Sequence, residues 1–302
     1  MKFDIIGKKK WFFLFSILVI VPGLISMVLQ GFNLGIDFTG GTLMDLKFAR
    51  PVTVTEVRGA LQEYKLENST IQLAASGQSE SSENVFIRTH VLSDDERRSV
   101  LAGMEKSLGS FDTLRVEKVG AVIGSELTKN AIIAVIVSWF FMIAYITYRF
   151  EFKFAVSGII AIAHDILIVV GMFSLLQKEI DASFIAAILT IVGYSINDTI
   201  VIFDRIRENL KTHSKAEPFN QLVNRSIWQT MTRSIYTVLT VIFATAALYI
   251  FGGETTKNFS LALLIGFTSG AYSSIFNASP IWVTWKEYEE RKRLALKTGG
   301  TK

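Results

Sequence analysis

Six apolar runs, each about as long as a helix that crosses a membrane, restrict the possible folds of this chain more than any other feature of its sequence. A helix needs roughly 20 apolar residues to cross about 30 Å of hydrocarbon. The runs of this kind are Trp11–Leu29, Ala131–Tyr148, Ala155–Leu176, Phe184–Phe203, Ser234–Phe251 and Phe259–Trp282. Hydrophobic residues make up 50% of the 302 residues and charged residues 19%, which is too apolar for an ordinary soluble domain. The sequence therefore predicts an α-helical polytopic membrane protein with six transmembrane helices.

The spacing of the runs predicts a one-plus-five layout. Residues 1–30 are expected to hold the cytoplasmic N-terminus and the first transmembrane helix, and 31–130 to form a separate polar domain. Residues 131–285 are expected to form a five-helix bundle, and 286–302 a basic tail. A segment at 217–232 has an apolar stripe at helical spacing, which predicts an amphipathic helix lying flat on the cytoplasmic surface.

Orientation follows from the basic residues that flank the runs, because Lys and Arg resist translocation. One set of ends carries many of them, including the segment 8–10, Arg149, the segment 205–215 and the tail, whereas the opposite short loops carry Lys178 and Lys257. Both termini are therefore predicted to be cytoplasmic and residues 31–130 extracytoplasmic, in a cytoplasmic (inner) membrane. The formal net charge of +4 reflects these flanks and does not indicate nucleic acid binding.

The polar domain has the pattern of a small βαββαβ fold, the ferredoxin-like order. Alternating apolar residues predict strands at 42–48, 70–73, 85–88 and 114–119, with a polar loop at 76–83. Capping boxes at Thr53–Glu56 and Ser93–Glu96 predict the starts of two helices. The chain has no cysteine, and the domain lacks metal-ligand spacing, a paired nucleophile and a phosphate loop. We expect a binding module rather than an enzyme, with no cofactor and no metal.

Two ionisable residues occur where the membrane disfavours them. Asp198 lies inside the fourth run, and Arg233 stands at the start of the fifth. Such residues mark functional sites by default, each with a nearby partner. A pair between Asp198 and Arg233 is geometrically plausible, although Arg233 reaching lipid headgroups and Asp198 held as a static, hydrogen-bonded carboxylate are alternatives. The candidate partners of Asp198 on its own helix are Ser195, Asn197 and Thr199, with Asp204 nearer the inner boundary.

The third and sixth runs carry two further patterns. His164 and Asp165 lie near the middle of the third run, where Asp165 is a candidate relay group and a structural hydrogen bond is the favoured interpretation for His164. In the sixth run, small residues recur every four positions, at Ala262, Gly266, Gly270, Ser274 and Ala278. This spacing lets another helix approach closely and predicts a packing face.

Several motifs together give a resemblance over nearly the whole chain. They are Gly35-Ile36-Asp37-Phe38-Thr39-Gly40-Gly41, Ala163-His164-Asp165, Gly193-Tyr194-Ser195-Ile196-Asn197-Asp198-Thr199, Asp204-Arg205-Ile206-Arg207-Glu208-Asn209, Thr232-Arg233-Ser234 and Ser269-Gly270-Ala271-Tyr272-Ser273-Ser274-Ile275-Phe276. With these motifs the sequence resembles the SecD/SecF family of bacterial protein translocase subunits, which belongs to the resistance-nodulation-division superfamily. Gly35, Asp37, Gly40 and Gly41 form the family motif after the first span.

The resemblance implies a function in protein export. It implies a twelve-span complex with SecD beside the SecYEG channel, possible contact with YajC or YidC, and a translocating unfolded polypeptide in a lipid membrane. By position, Asp198 and Arg233 would couple an H⁺ or Na⁺ gradient to late-stage translocation. Among the polar residues of the spans, Asp165 and Asn197 are further candidates for ion coupling, and His164, Ser195, Thr199 and Asp204 are possible accessory residues. Two alternatives stay open: half of a small-molecule or lipid exporter of the same superfamily, and a non-conducting scaffold subunit.

Overall fold

The computed structural model describes residues 3–73, 81–149, 151–213 and 217–298. Its helices are α1 (Lys9–Leu29), α2 (Ile36–Thr39), α3 (Val54–Gln62), α4 (Asp94–Leu108), α5 (Ala121–Arg149), α6 (Phe152–Leu175), α7 (Ala182–Lys211), α8 (Phe219–Phe251), α9 (Glu254–Ser273) and α10 (Ser279–Thr298). A π-helical turn, Ser274–Ala278, joins α9 to α10. The strands are β1 (Asn33–Leu34), β2 (Gly41–Thr53), β3 (Thr70–Leu73), β4 (Ser81–Thr89), β5 (Phe111–Val119) and β6 (Glu179–Ile180).

Within those ranges, six helical segments are long and apolar enough to cross a membrane. They are Lys9–Leu29, Val122–Arg149, Phe152–Leu175, Ala182–Lys211, Phe219–Phe251 and Thr256–Leu296. The prediction of a mostly helical, multi-pass membrane protein is confirmed. The helices extend beyond the apolar runs, since α7 continues eight residues past Phe203 to Lys211.

One element differs from its prediction. The segment 217–232 is not a separate surface helix, because α8 runs from Phe219 to Phe251 without a break. The apolar stripe explains the difference: Leu222, Val223 and Ile227 are buried in one cluster with residues of α6, α7 and α10. A stripe that packs against neighbouring helices has no need of a lipid surface.

The chain divides into two compact units, of which the first contains Met1–Asn33 and Ala134–Lys302. Its core includes three large aromatic side chains, Phe154, Phe203 and Trp282, that are almost fully buried. The rings of Phe154 and Trp282 stack with centroids 4.4 Å apart. On another side of the bundle, α1 crosses α6 closely at Gly23 and Gly171, where a Cβ on Gly23 would lie 2.8 Å from the Gly171 Cα.

The second unit, Leu34–Ile133, contains a four-stranded antiparallel sheet. Along the chain its elements follow as β2, α3, β3, β4, α4 and β5, and the strand order across the sheet is β3-β4-β2-β5. Alternate residues of β2, Met44, Leu46 and Phe48, are buried in one cluster with residues of α3 and α4. This alternation places one face of the sheet against the helices. Residues 74–80, which hold most of the predicted polar loop 76–83, lie outside the described ranges.

Both predicted capping boxes are confirmed. Thr53 caps α3 with Glu56, and Ser93 caps α4 with Glu96. The backbone N–H of the capping residue donates to the glutamate, and this bond is the main reason that the pKa of each of these carboxyls, Glu56 and Glu96, lies below its usual value. The caps satisfy backbone groups that helix starts leave without partners.

Candidate functional site

Asp198 lies on α7 and faces α8. The hydroxyl of Ser234 on α8 donates to its Oδ1 at 2.7 Å. The other carboxylate oxygen, Oδ2, is buried and has no hydrogen-bond partner in the part of the chain that the structure describes. Since buried polar atoms are nearly always bonded, half of this carboxylate is left open to a further donor.

Arg233 directly precedes Ser234 on α8, and its side chain is exposed. No ion pair within 4.0 Å joins it to Asp198 among the described residues, although it acts on that carboxylate electrostatically. It lines a cavity of about 450 Å³ between α5, α7 and α8, together with Asp204 and Arg149. The predicted pair is therefore two groups on adjacent helices without direct contact.

Two other candidates on α7 stand apart from Asp198. Asp204 accepts a hydrogen bond of 2.7 Å from Arg207, three residues later. Asn197 is exposed, and its side chain takes part in no hydrogen bond found within the described ranges. The structure does not bring either residue to the Asp198 carboxylate.

Asp165 on α6 is the centre of a fully buried polar network. Its side chain is 0% exposed. Ser269 of α9 donates to Oδ1 at 2.6 Å, while Ser195 of α7 and Ser273 of α9 donate to Oδ2, each at 2.7 Å. The ring Nδ1 of His164 lies 3.0 Å from Oδ1. These four partners fill the acceptor positions of a carboxylate.

The network continues from His164 to α1 and to the π-helical turn. The Nε2 atom of His164 lies 3.0 Å from the hydroxyl oxygen of Ser16. The amide Nδ2 of Asn277 donates to the same oxygen at 2.9 Å. Hydrogen bonds therefore connect α1, α6, α7 and α9 across the interior of the bundle.

The predicted packing ladder of α9 faces α7. A Cβ on Gly266 would collide with the side chain of Ile191, and one on Gly270 would lie 3.2 Å from the Cβ of Ser195. Ser274 also makes hydrogen bonds, to Thr199 Oγ1 at 2.9 Å and to the carbonyl of Ser195 at 3.2 Å.

Ala262 and Ala278 are fully buried. The small residues let α9 approach closely enough for its serines to reach Asp165.

Sequence reasoning missed five residues of these two sites: Ser16, Ser234, Ser269, Ser273 and Asn277. Ser269 and Ser273 are four positions apart in an apolar run, so they share a helix face, and this spacing was the available signal. The isolated Ser16 and Asn277 gave none, because a single polar residue in a span does not reveal which helix it meets.

The motif after the first span lies in the second unit. Gly35 caps the short helix α2 and Gly40 ends it, with φ of 70° at Gly40 and 142° at Gly41. A Cβ on Gly41 would collide with the carbonyl oxygen of Thr89. Both positions therefore require glycine. Asp37 lies in the first turn of α2.

No group of three or more His, Cys, Asp or Glu side chains that could hold a metal ion occurs within 3–73, 81–149, 151–213 and 217–298.

Two family models match the chain. One, described as "Protein export membrane protein SecD/SecF, C-terminal", matches residues 100–288. The other, described as "SecD/SecF GG Motif", matches residues 25–52, which include Gly40 and Gly41.

Curated relatives match over nearly the full length. A protein translocase subunit SecF from Acidaminococcus fermentans is 50% identical over 291 residues, with 96% of this chain and 99% of the relative covered. A protein translocase subunit SecDF from Bacillus subtilis is 39% identical, with 96% of this chain but only 39% of the relative covered. The match to SecDF therefore concerns part of a longer protein.

Two solved structures that resemble this chain are both of SecDF. The crystal structure of SecDF, a translocon-associated membrane protein, from Thermus thermophilus superposes with a TM-score of 0.87 at 38% identity, covering 95% of this chain. A second crystal structure, of SecDF in a super-membrane-facing form, gives a TM-score of 0.72 at 37% identity, covering 98%. The chain spans 39% and 40% of those two solved chains.

Proposed function

The chain belongs to the SecD/SecF family of protein-export membrane proteins, and from this we propose that it couples an ion gradient, H⁺ or Na⁺, to late-stage export of proteins. In this proposal it is a subunit that works with a SecD partner beside the SecYEG channel. The SecDF relatives, in which the matching part is 39% of a longer chain, support a partner of that kind.

Asp198 is the single observation that carries the coupling proposal. A carboxylate between two membrane helices, with one oxygen bonded to Ser234 and the other without a partner among the described residues, can gain a proton or meet a cation without losing an existing bond. Moving one charge through 100 mV supplies about 2.3 kcal/mol. That is enough to change the ratio of two conformations roughly fiftyfold.

The cavity beside Arg233 supports a route to this carboxylate. It is lined by charged side chains of α7 and α8, including Asp204, Arg205 and Arg233. Charged groups inside a membrane protein usually face water-filled space or one another. We propose that this cavity opens toward the cytoplasm.

The proposal also assigns a place to the two units. The first lies in the cytoplasmic membrane with both termini on the inner side, and the second lies outside, where it contacts the exported polypeptide or the SecD partner. The strand order β3-β4-β2-β5 and the order of the elements along the chain support a ferredoxin-like domain. The proposal assigns no catalysed reaction and no cofactor.

Replacement of Asp198 tests the coupling. In vesicles that contain the complete export machinery, Asp198→Asn should abolish the part of export that an imposed H⁺ or Na⁺ gradient drives, because an amide neither ionises nor attracts a cation. The matched control is Glu290→Gln, an exposed acid on α10 that does not line the cavity beside Arg233, which should export normally. Copurification with the SecD partner should be unchanged in both variants.

Normal gradient-driven export by the Asp198→Asn protein would refute the coupling role. Combined with intact copurification, that result would favour a scaffold subunit. Running the assay with an H⁺ gradient alone and a Na⁺ gradient alone identifies the ion.

A further inference from the structure

A second buried acid, Asp165, holds a histidine in a hydrogen-bonded chain that the coupling proposal does not explain. His164 is 8% exposed and Asp165 0%. Histidine is the side chain whose ordinary titration falls closest to physiological pH. A histidine between two hydrogen-bonding partners can therefore be bound either as the neutral ring or as the charged ring.

The partners of Asp165 fix the tautomer of His164. An ionised carboxylate only accepts hydrogen bonds, and the hydroxyls of Ser195, Ser269 and Ser273 are all placed as donors to it. The Nδ1 atom, 3.0 Å from Oδ1, must then carry the ring hydrogen. In the neutral ring the other nitrogen, Nε2, is consequently an acceptor.

Ser16 has a bond to offer Nε2 in either protonation state. With a neutral ring, its hydroxyl donates to Nε2 across 3.0 Å. When Nε2 gains a proton, the ring donates instead, and the Ser16 hydroxyl needs another acceptor. Asn277 Oδ1 lies 3.4 Å from the Ser16 oxygen. The second state therefore keeps every hydrogen bond without moving a non-hydrogen atom.

An acidic side chain and an aromatic ring face His164. The titratable groups that face His164 are Asp165 on its own helix and Tyr272 on α9, while α1, α7 and the π-helical turn bring the non-titrating Ser16, Ser195 and Asn277. The Tyr272 ring stacks on the imidazole with centroids 6.0 Å apart, and its hydroxyl donates to the carbonyl of Phe12. An aromatic face at about this distance attracts a cation.

We propose that His164 and Asp165 form a proton-binding site, separate from Asp198, in which the bound proton is carried on Nε2 of His164. Uptake converts the Ser16-to-histidine bond into a charge-assisted bond from the ring to Ser16, which is the stronger kind. The attachment of α1 to α6 therefore depends on the bound proton. Any contribution to export rests on the proposed function, whereas proton binding itself does not.

Nuclear magnetic resonance of the ring nitrogens tests the site directly. The full chain, ¹⁵N-labelled at histidine and held in lipid nanodiscs, carries three histidines, so His90→Gln and His213→Gln together leave His164 as the only signal. Lowering the pH should convert His164 from one protonated and one bare nitrogen to two protonated nitrogens. The change of the His164 nitrogen signals with pH should fit the binding of a single proton.

Variants of α1 identify the responsible contact. Ser16→Ala removes the group that bonds to Nε2, and we expect proton affinity to fall about tenfold, a shift of about one pH unit. The matched control is Ser26→Ala on the same helix, which removes a buried serine bonded to Ser174 at 2.8 Å. That control should leave the His164 titration unchanged.

Three results would overturn the site: a His164 ring that stays neutral throughout, a proton that appears on the Asp165 carboxyl instead, or equal shifts from Ser16→Ala and Ser26→Ala. The first two come from the protein without any substitution in the network, so they do not depend on a variant folding. A neutral His164 in a protein that still exports under an ion gradient would refute this site alone. Normal export by the Asp198→Asn protein would refute the coupling proposal alone.

Discussion

The carboxylate of Asp198 and the guanidinium of Arg233 sit on adjacent helices with no ion pair between them in the described ranges. The Ser234 hydroxyl donates to one oxygen of Asp198, and the other oxygen is buried with no donor in the described part of the chain. Arg233, one residue earlier on α8, is exposed beside a cavity. A movement of either helix that brings a donor to this open oxygen would complete its hydrogen bonding.

Replacing Arg233 by lysine distinguishes a paired role from attraction to lipid headgroups. A planar guanidinium offers five donors, whereas an ammonium is a point charge. Arg233→Lys should lower gradient-driven export about tenfold or more if the guanidinium bonds to Asp198 during the cycle. The control is Arg225→Lys, an exposed arginine on the same helix that pairs with Glu217. Equal export by the two variants would show that Arg233 contributes only its charge.

The sequence identified the acids but not the groups they meet. Asp165 and Asp198 were recognisable because a charge inside an apolar run is rare. The spacing of Ser269 and Ser273 showed a shared helix face but not which acid that face meets. Ser234 was not recognisable, because serine is common in apolar helices and its contacts depend on how the helices are rotated. The small residues of α9 predicted a packing face, but not that α7 would be the helix packed against it.

The close crossing of α1 and α6 depends on glycine, which has no side chain, at the point of contact. At Gly23 and Gly171 the two backbones approach so closely that a Cβ on Gly23 would lie 2.8 Å from the Gly171 Cα. Near this crossing the Ser174 hydroxyl donates to the carbonyl of Gly31 and accepts from the hydroxyl of Ser26. Backbone atoms cannot yield as a flexible side chain does, so the crossing tolerates only glycine.

Gly23→Ala should therefore separate α1 from α6. Forcing an extra methyl group into a packed contact costs about 1–3 kcal/mol, which should lower the midpoint of thermal unfolding in detergent. Gly193→Ala on α7 is the matched control, because a Cβ there meets nothing within 4 Å, and alanine should be neutral or slightly stabilising in a helix. A Gly23→Ala protein as stable as the control would contradict the close crossing.

The capping boxes of the second unit predict a dependence on pH. The pKa of Glu96 is lowered, chiefly by the backbone N–H of Ser93 and further by the Ser93 hydroxyl. A carboxyl with a lowered pKa in the folded state adds stability above its unfolded pKa, and this stability disappears as the pH falls through the folded value. The first turn of α4 should fray at acidic pH.

Hydrogen exchange at the amides of that turn, corrected for the intrinsic effect of pH, measures the fraying. Glu96→Ala should show the frayed behaviour already at neutral pH, whereas Glu105→Ala, on the same helix, should behave as the unchanged protein. Protection that stays constant down to strongly acidic pH would contradict the role of the Glu96 carboxylate.

For the chain as a whole, the positions of the long helices followed from hydrophobicity, while their lengths did not. The apolar runs predicted six spans, and the six long helices correspond to them. Helix α8 begins fifteen residues before its run because Leu222, Val223 and Ile227 bury themselves among other helices. Burial against protein and burial in lipid leave the same apolar stripe in a sequence, so only the structure distinguishes them.

Orientation in the membrane can be tested with unusual clarity, because the chain has no cysteine of its own. Asn68→Cys places a thiol in an exposed turn of the second unit, and Glu290→Cys places one at an exposed position in the second half of α10. A membrane-impermeant maleimide added to intact cells from which any outer membrane has been removed should label Asn68→Cys alone. Glu290→Cys should react only after the membrane is opened. The reverse pattern would invert the proposed topology.

The π-helical turn at Ser274–Ala278 sets the two halves of the last span out of phase. A π turn holds one residue more than an α turn, so the half that carries Ser269 and the half that carries Trp282 are rotated relative to an unbroken helix. If the π turn shifts to a neighbouring position along the span, one half of the helix rotates about its axis while the other half keeps its contacts. No segment of the helix has to unfold for this rotation. Ser273 directly precedes the turn and bonds to Asp165, and Asn277 lies within it and bonds to Ser16. Such a rotation would move both side chains relative to these partners.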